Sequence, residues 1–109
     1  MSNQTQISFT VPTTNTDGSA ITEPLSYSAL IDTVNPPVKA YAVPAAQVAA
    51  AVGGVVTATF AQLGFTPVKN TDYFVDVIAT DAEGSSAPSA MVAFAYSVVP
   101  NAPTGLKVS

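Results

Sequence analysis

The sequence predicts an all-β fold, a two-sheet antiparallel sandwich, and three observations predict it. Tyr73, Val75, Val77 and Ala79 alternate with Phe74, Asp76, Ile78 and Thr80, the period of two expected of a strand with one buried face. A turn at residues 81–84, with Gly84 free to take φ > 0, separates this strand from a second apolar run over residues 91–99; the centre of the chain therefore reads as a β-hairpin. Elsewhere, six or seven short strand-like runs are divided by turn signals, and no alternation of helix and strand suggests βαβ units.

Taken in order, residues 1–5 are polar and expected to be loose. Ile7, Phe9 and Val11 share one face of a first strand that Pro12 stops. Residues 13–19 form a loop in which Asp17 and Gly18 signal a turn, and the Thr and Asn side chains can bond nearby backbone. Leu25, Tyr27, Ala29 and Ile31 mark a second strand, with Pro24 at its start, where a missing N–H is tolerated. Residues 38–43 make a shorter third strand carrying Tyr41.

Residues 44–52 differ in kind. Pro44 suits a helix start, the alanines have high helix propensity, Gly53 suits the position after a helix, and Val48 and Val52 are spaced i, i+4. A short helix is expected, packed on the sheet because so short a helix is not stable alone; an Ala-rich loop or strand is the alternative. Val56, Ala58 and Phe60 then share one face of a strand, and residues 63–71 form a corner with Gly64 and Pro67. After the central hairpin, Pro100 and Pro103 punctuate a link to a final short β segment at 106–109. The expected division is a sandwich over residues 1–99 and a Pro-rich link with an added strand over 100–109.

With 109 residues the chain is the size of one domain. No run of about 18 apolar residues is present for a membrane helix, and net charge is −4, from three Lys against seven acids. Nucleic acid and anionic lipid both require clustered cations, so neither is expected as a partner. The absence of Cys and His removes disulfides, thiolate sites, the commonest general base and the commonest metal ligand. The first residues offer no basic or apolar signal segment, so Sec export is not expected.

Asp72, Asp76, Asp81 and Glu83 are the one acidic cluster. Ca²⁺ needs six to eight converging oxygens, so Asp72 and Asp76 read instead as a solvated strand face, and Asp81 and Glu83 as turn chemistry. No Ser or Thr has a His base, and no Gly-x-Ser-x-Gly, Ser-x-x-Lys or phosphate-binding Gly loop occurs. Tyr27, Tyr41, Tyr73 and Tyr96 could stack on sugars, but their alternating strand positions favour packing. The expectation is a protein without catalytic, metal or cofactor-binding residues.

Three segments, in order, resemble a fibronectin type III domain of the bacterial and phage kind. Phe9 to Pro12, the 13–21 loop and Tyr27 resemble that family's B strand, its Pro-bounded loop and its C strand, with Phe9 where the family usually has Trp. Phe60 and Leu63, Pro67 and the 73–81 run resemble strand E, the corner and strand F, with a longer interval between Leu63 and Tyr73 than the family's corner. Residues 84–89 resemble the loop before strand G, and residues 100–109 look like a family A strand placed at the opposite end. The resemblance covers residues 6–98 and implies a fibronectin type III-like, immunoglobulin-like sandwich with a tyrosine corner at Tyr73. It implies no activity.

The leading expectation is a non-enzymatic structural protein: an accessory subunit of a phage particle, as a head decoration or tail-associated protein. It would bind virion proteins and copies of itself, and be made in the host cytoplasm. An alternative is a ligand-binding module for host glycan or protein, working through loops 13–19 and 81–89. A further alternative is a fragment of a multi-domain cell-wall enzyme. The candidate interaction residues are Asn15, Asp17, Asp81 and Glu83 in the loops, and Leu106 and Val108 in the C-terminal segment.

Overall fold

The computed structural model describes residues 4–108. Its elements run β1 (Gln6–Thr10), β2 (Ser26–Asp32), β3 (Ala40–Ala42), α1 (Ala45–Ala49), β4 (Val55–Thr59), α2 (Phe60–Leu63), β5 (Thr71–Asp81), β6 (Gly84–Ser85) and β7 (Val92–Tyr96). The fold is all-β, in two antiparallel sheets. One holds β1 and β4; the other runs β3-β2-β5, with β6 and β7 both pairing on the far side of β5. β5 is the spine: it pairs with β2 over seven residues and with β7 over five.

The two sheets share one core. Val56 and Ala58 of β4, Tyr27, Ala29 and Ile31 of β2, and Tyr73 and Val75 of β5 are buried together with Val43, Phe60, Leu63 and Phe65. Aromatic rings tie the layers: Phe9 of β1 packs on Tyr27 of β2 with centroids 5.0 Å apart. Phe65 meets Tyr41, Phe60 and Tyr73 edge-on at 5.1–5.3 Å, an arrangement that aligns ring edges with ring faces. Tyr27 and Tyr73 are buried, and Tyr41 and Tyr96 pack partly buried against the same core, so the tyrosines serve packing.

Three local readings need correction. The helix expected over 44–52 is only α1, with Pro44 as its N-cap, and ends before Val52, which is exposed. Gly53 and Gly54, both at positive φ, instead form the tight turn between Val52 and Val55, a two-residue hairpin loop of the kind that needs φ > 0 at both positions. Second, Phe60 does not extend β4 but opens α2, whose N-terminus is closed by a capping box: Gln62 N–H donates to Thr59 Oγ1 at 3.1 Å and Thr59 N–H to Gln62 Oε1 at 2.9 Å.

Third, Asp76 is not on a solvated face. It is 5% exposed, and its Oδ1 has no hydrogen-bond partner. The reason lies in its neighbours: Leu30 stands directly across the β2–β5 ladder, and Phe74 and Ile78 flank Asp76 on the same face, all three half-buried. The outward face of the large sheet is therefore apolar around this carboxylate, and desolvation raises its pKa above the usual 3.8.

Beyond β7 the chain leaves the body. Val98 N–H still donates to Asn70 Oδ1 at 3.2 Å, but residues 97–108 join no strand and all are exposed. The described chain has a radius of gyration of 18.1 Å and measures 74 × 29 × 21 Å, whereas a compact domain of this length has a radius of about 13 Å. The strand expected at 106–109 is thus unpaired over its described residues; Ser109 and the N-terminal residues 1–3 lie outside the described residues.

Candidate functional site

The register of β2 on β5 decides which loops meet. Ser26 pairs with Thr80, so the segment leading into β2 and the turn leaving β5 sit at the same end of the large sheet. Between them opens a groove of about 520 Å³, lined by Asn15, Asp17, Ile21, Glu23, Asp81 and Glu83 among others. The four loop residues singled out from the sequence, Asn15, Asp17, Asp81 and Glu83, all line it.

Each loop is held by its own polar residues. In the first, Gly18 N–H donates to Asn15 O at 2.9 Å and Asn15 N–H to Ser19 O at 2.8 Å, while Asn15 Nδ2 reaches Ser19 Oγ at 3.1 Å. Asp17 Oδ1 accepts from Ser19 Oγ at 2.6 Å and Ser19 N–H at 2.9 Å. These bonds, the hydroxyl one foremost, hold the Asp17 carboxyl below its ordinary pKa. In the second loop, Asp81 Oδ1 accepts from the N–H groups of Glu83 and Gly84 at 2.8 and 3.1 Å, an Asx turn that closes the β5–β6 hairpin.

Asp17 and Asp81 therefore each commit one carboxylate oxygen to shaping a turn. Their other oxygens, with Glu23 and Glu83, make a groove wall rich in hydrogen-bond acceptors, and none of the chain's three Lys lines it. Pro12, Ile21 and Leu25 supply apolar floor. Such a surface suits a ligand bearing hydroxyl or ammonium donors. Among the described residues no group of three or more His, Cys, Asp or Glu side chains is arranged to hold a metal ion, and no helix is long and apolar enough to cross a membrane.

Leu106 and Val108 are not brought to the groove. They lie in the exposed C-terminal segment, 93% and 98% exposed. Glu23, which the sequence reading did not single out, joins the groove through the same β2 register that places Asp17 there; no local sequence signal marks it. No protein-family model matches the chain, and neither a curated protein nor a solved structure matches it significantly.

Proposed function

We propose that the chain is a non-enzymatic interaction module with a fibronectin type III-like, immunoglobulin-like sandwich fold. In this reading it works as an accessory structural subunit of a phage particle, on head or tail, binding virion proteins and copies of itself. The observation that carries the interaction role is the C-terminal segment, where Val98, Val99, Leu106 and Val108 stand exposed on a body whose core is filled without them. Apolar side chains held in water in this way favour burial against a partner.

The sandwich assignment is supported by strand distribution. The segment resembling strand B, β1, lies in one sheet, and those resembling C, F and G share the other, as β2, β5 and β7, in keeping with the division such domains have. The segment resembling strand E, Phe60–Leu63, is instead the helix α2, directly after the β4 strand that pairs with β1. The absence of His and Cys from the sequence supports a role without catalysis. The test is fractionation: particles from lysed infected cells are banded on a density gradient and probed for the chain. Co-banding with particles is the expected result, and recovery solely in the soluble fraction overturns the reading.

A second reading has its own observation, the convergence of loops 13–19 and 81–86 on one acceptor-rich groove. It makes the chain a binder of hydroxylated ligands such as host glycan. A glycan array that finds no ligand dependent on Asp17 and Glu83 removes it.

A further inference from the structure

The two edges of the small sheet are treated differently. Phe60 N–H donates to Thr5 O and Val11 N–H to Gly54 O, so alternation along the ladder gives Ile7 and Phe9 the bonds to β4 and turns the backbone groups of Gln6, Ser8 and Thr10 outward. By the same alternation, Val55, Thr57 and Thr59 turn outward on β4.

The β4 edge is occupied. Val55 exchanges both bonds with Val52 at 3.0 and 3.1 Å. Thr57 O accepts from Gln47 Nε2 of α1 at 3.0 Å, and Thr59 N–H donates to Gln62. The β1 edge carries no such cover among the described residues: no backbone bond links Gln6, Ser8 or Thr10 to anything beyond β4. Ile7, Phe9 and Val11, which face the core, remain only partly buried.

The chain also holds a segment whose sequence pattern suits that edge. Residues 104–108 are free of proline, match β1 in length, and alternate Leu106 and Val108 with Lys107. Placed beside β1, Leu106 and Val108 would continue the apolar face of Ile7 and Phe9, and Lys107 would stay in solvent. The edge strands of the large sheet, β3 and β7 among them, are less suited as acceptors, because they already belong to a five-stranded sheet, whereas two strands alone are marginal. The segment stands off its own body, after a link stiffened by Pro100 and Pro103.

We propose that the outer edge of β1 is the acceptor for residues 104–108 of a second copy, which adds as a third strand to the small sheet. Backbone bonds to Gln6, Ser8 and Thr10 give the attachment, and Leu106 and Val108 give it register. The inference deepens the reading above that the chain binds copies of itself, and supplies the contact.

The test uses two full-length variants. Leu106→Asp spoils the donor segment, whose Leu106 and Val108 are almost fully exposed. Ser8→Pro removes one outward N–H from the acceptor edge without taking a bond from the β1–β4 ladder. Native mass spectrometry should find wild-type chains associating with rising concentration, each variant monomeric, and a mixture of the two variants restored to one-to-one pairs. A labelled peptide of residues 100–109 should bind the Leu106→Asp protein, and its Leu106→Asp version at least ~10-fold more weakly. This peptide arm stands even if Ser8→Pro does not fold.

A wild type that is monomeric at every concentration overturns the proposal; so does Leu106→Asp associating like wild type, or folded Ser8→Pro still associating. A monomer destabilised by Leu106→Asp would place the segment on its own β1, which also overturns exchange between copies. Association that persists in a chain absent from particles would overturn the virion assignment and leave the strand exchange standing.

Discussion

The backbone N–H of Val68 donates to the phenol oxygen of Tyr73 at 2.7 Å. The ring is buried, edge-on to Phe65 and stacked against Phe94. One residue thus fastens the corner between α2 and β5 and fills the core beneath it. The interval from Leu63 is bridged with the help of Gly64 at φ 75°, which ends α2, and Asn70 at φ 60°, just before β5.

Tyr73→Phe keeps the ring and removes the acceptor, leaving the Val68 N–H without this partner. Urea melts should show a loss of about 1 kcal/mol. A change within error would mean that the corner is held by packing alone.

Phe9 has the contact with Tyr27 expected of a core residue but remains only partly buried. Phe9→Ala should therefore cost about 2 kcal/mol, less than the 3–5 typical of a fully enclosed Phe. Under conditions where copies associate, the cost should grow, because an added strand would cover the ring. Melts at low and high protein concentration compare the two.

Asp76 gives the fold a pH dependence of definite sign. Its folded pKa lies above the ordinary value, so between the two the folded state holds more protons than the unfolded one. Its contribution is most favourable below pH 3.8 and declines as pH rises through the raised folded value. Asp76→Asn should melt higher than wild type at pH 7, with the gap narrowing toward pH 3. An equal or larger gap at low pH would contradict the burial of this carboxylate.

Thr59→Ala removes the capping hydroxyl of α2 while leaving β4 its length. A loss of about 1 kcal/mol is expected by thermal or urea denaturation. Gln62→Ala should behave similarly, and the double variant should lose less than the sum, since the two bonds form one reciprocal unit.

The strands were legible because each buries one face, and a period of two survives in the sequence wherever that is so: Tyr73, Val75, Val77 and Ala79 on β5, or Tyr27, Ala29 and Ile31 on β2. Phe60 misled because it satisfies two patterns, completing the alternation of Val56 and Ala58 while also being the first buried residue of α2. The Thr59-x-x-Gln62 pair and Gly64 were the signal that distinguished them. α1 was placed correctly but not bounded, since alanine propensity favours helix without saying where it stops, and Gly53 and Gly54 answer to the turn at Val55.

Periodicity gave Asp76 its face but not the crowding there, which depends on Leu30 across the ladder. The groove was legible only as two separate polar loops. Their meeting follows from the pairing of Ser26 with Thr80, a contact between distant parts of the chain that no local pattern encodes.

The cover on the β4 edge has a consequence for the order of assembly. Every partner along it comes from close by in sequence: Val52 three residues before Val55, Gln47 ten before Thr57, Gln62 three after Thr59. β1, in contrast, must arrive from the beginning of the chain. Short loops close at lower entropic cost and sooner than long ones, so residues 45–64 can mature as a local unit with one side already shielded. A chain in which this unit has formed offers β4 a single open margin, the one that takes β1, so wrong pairing on its other side is already blocked before the sheet closes.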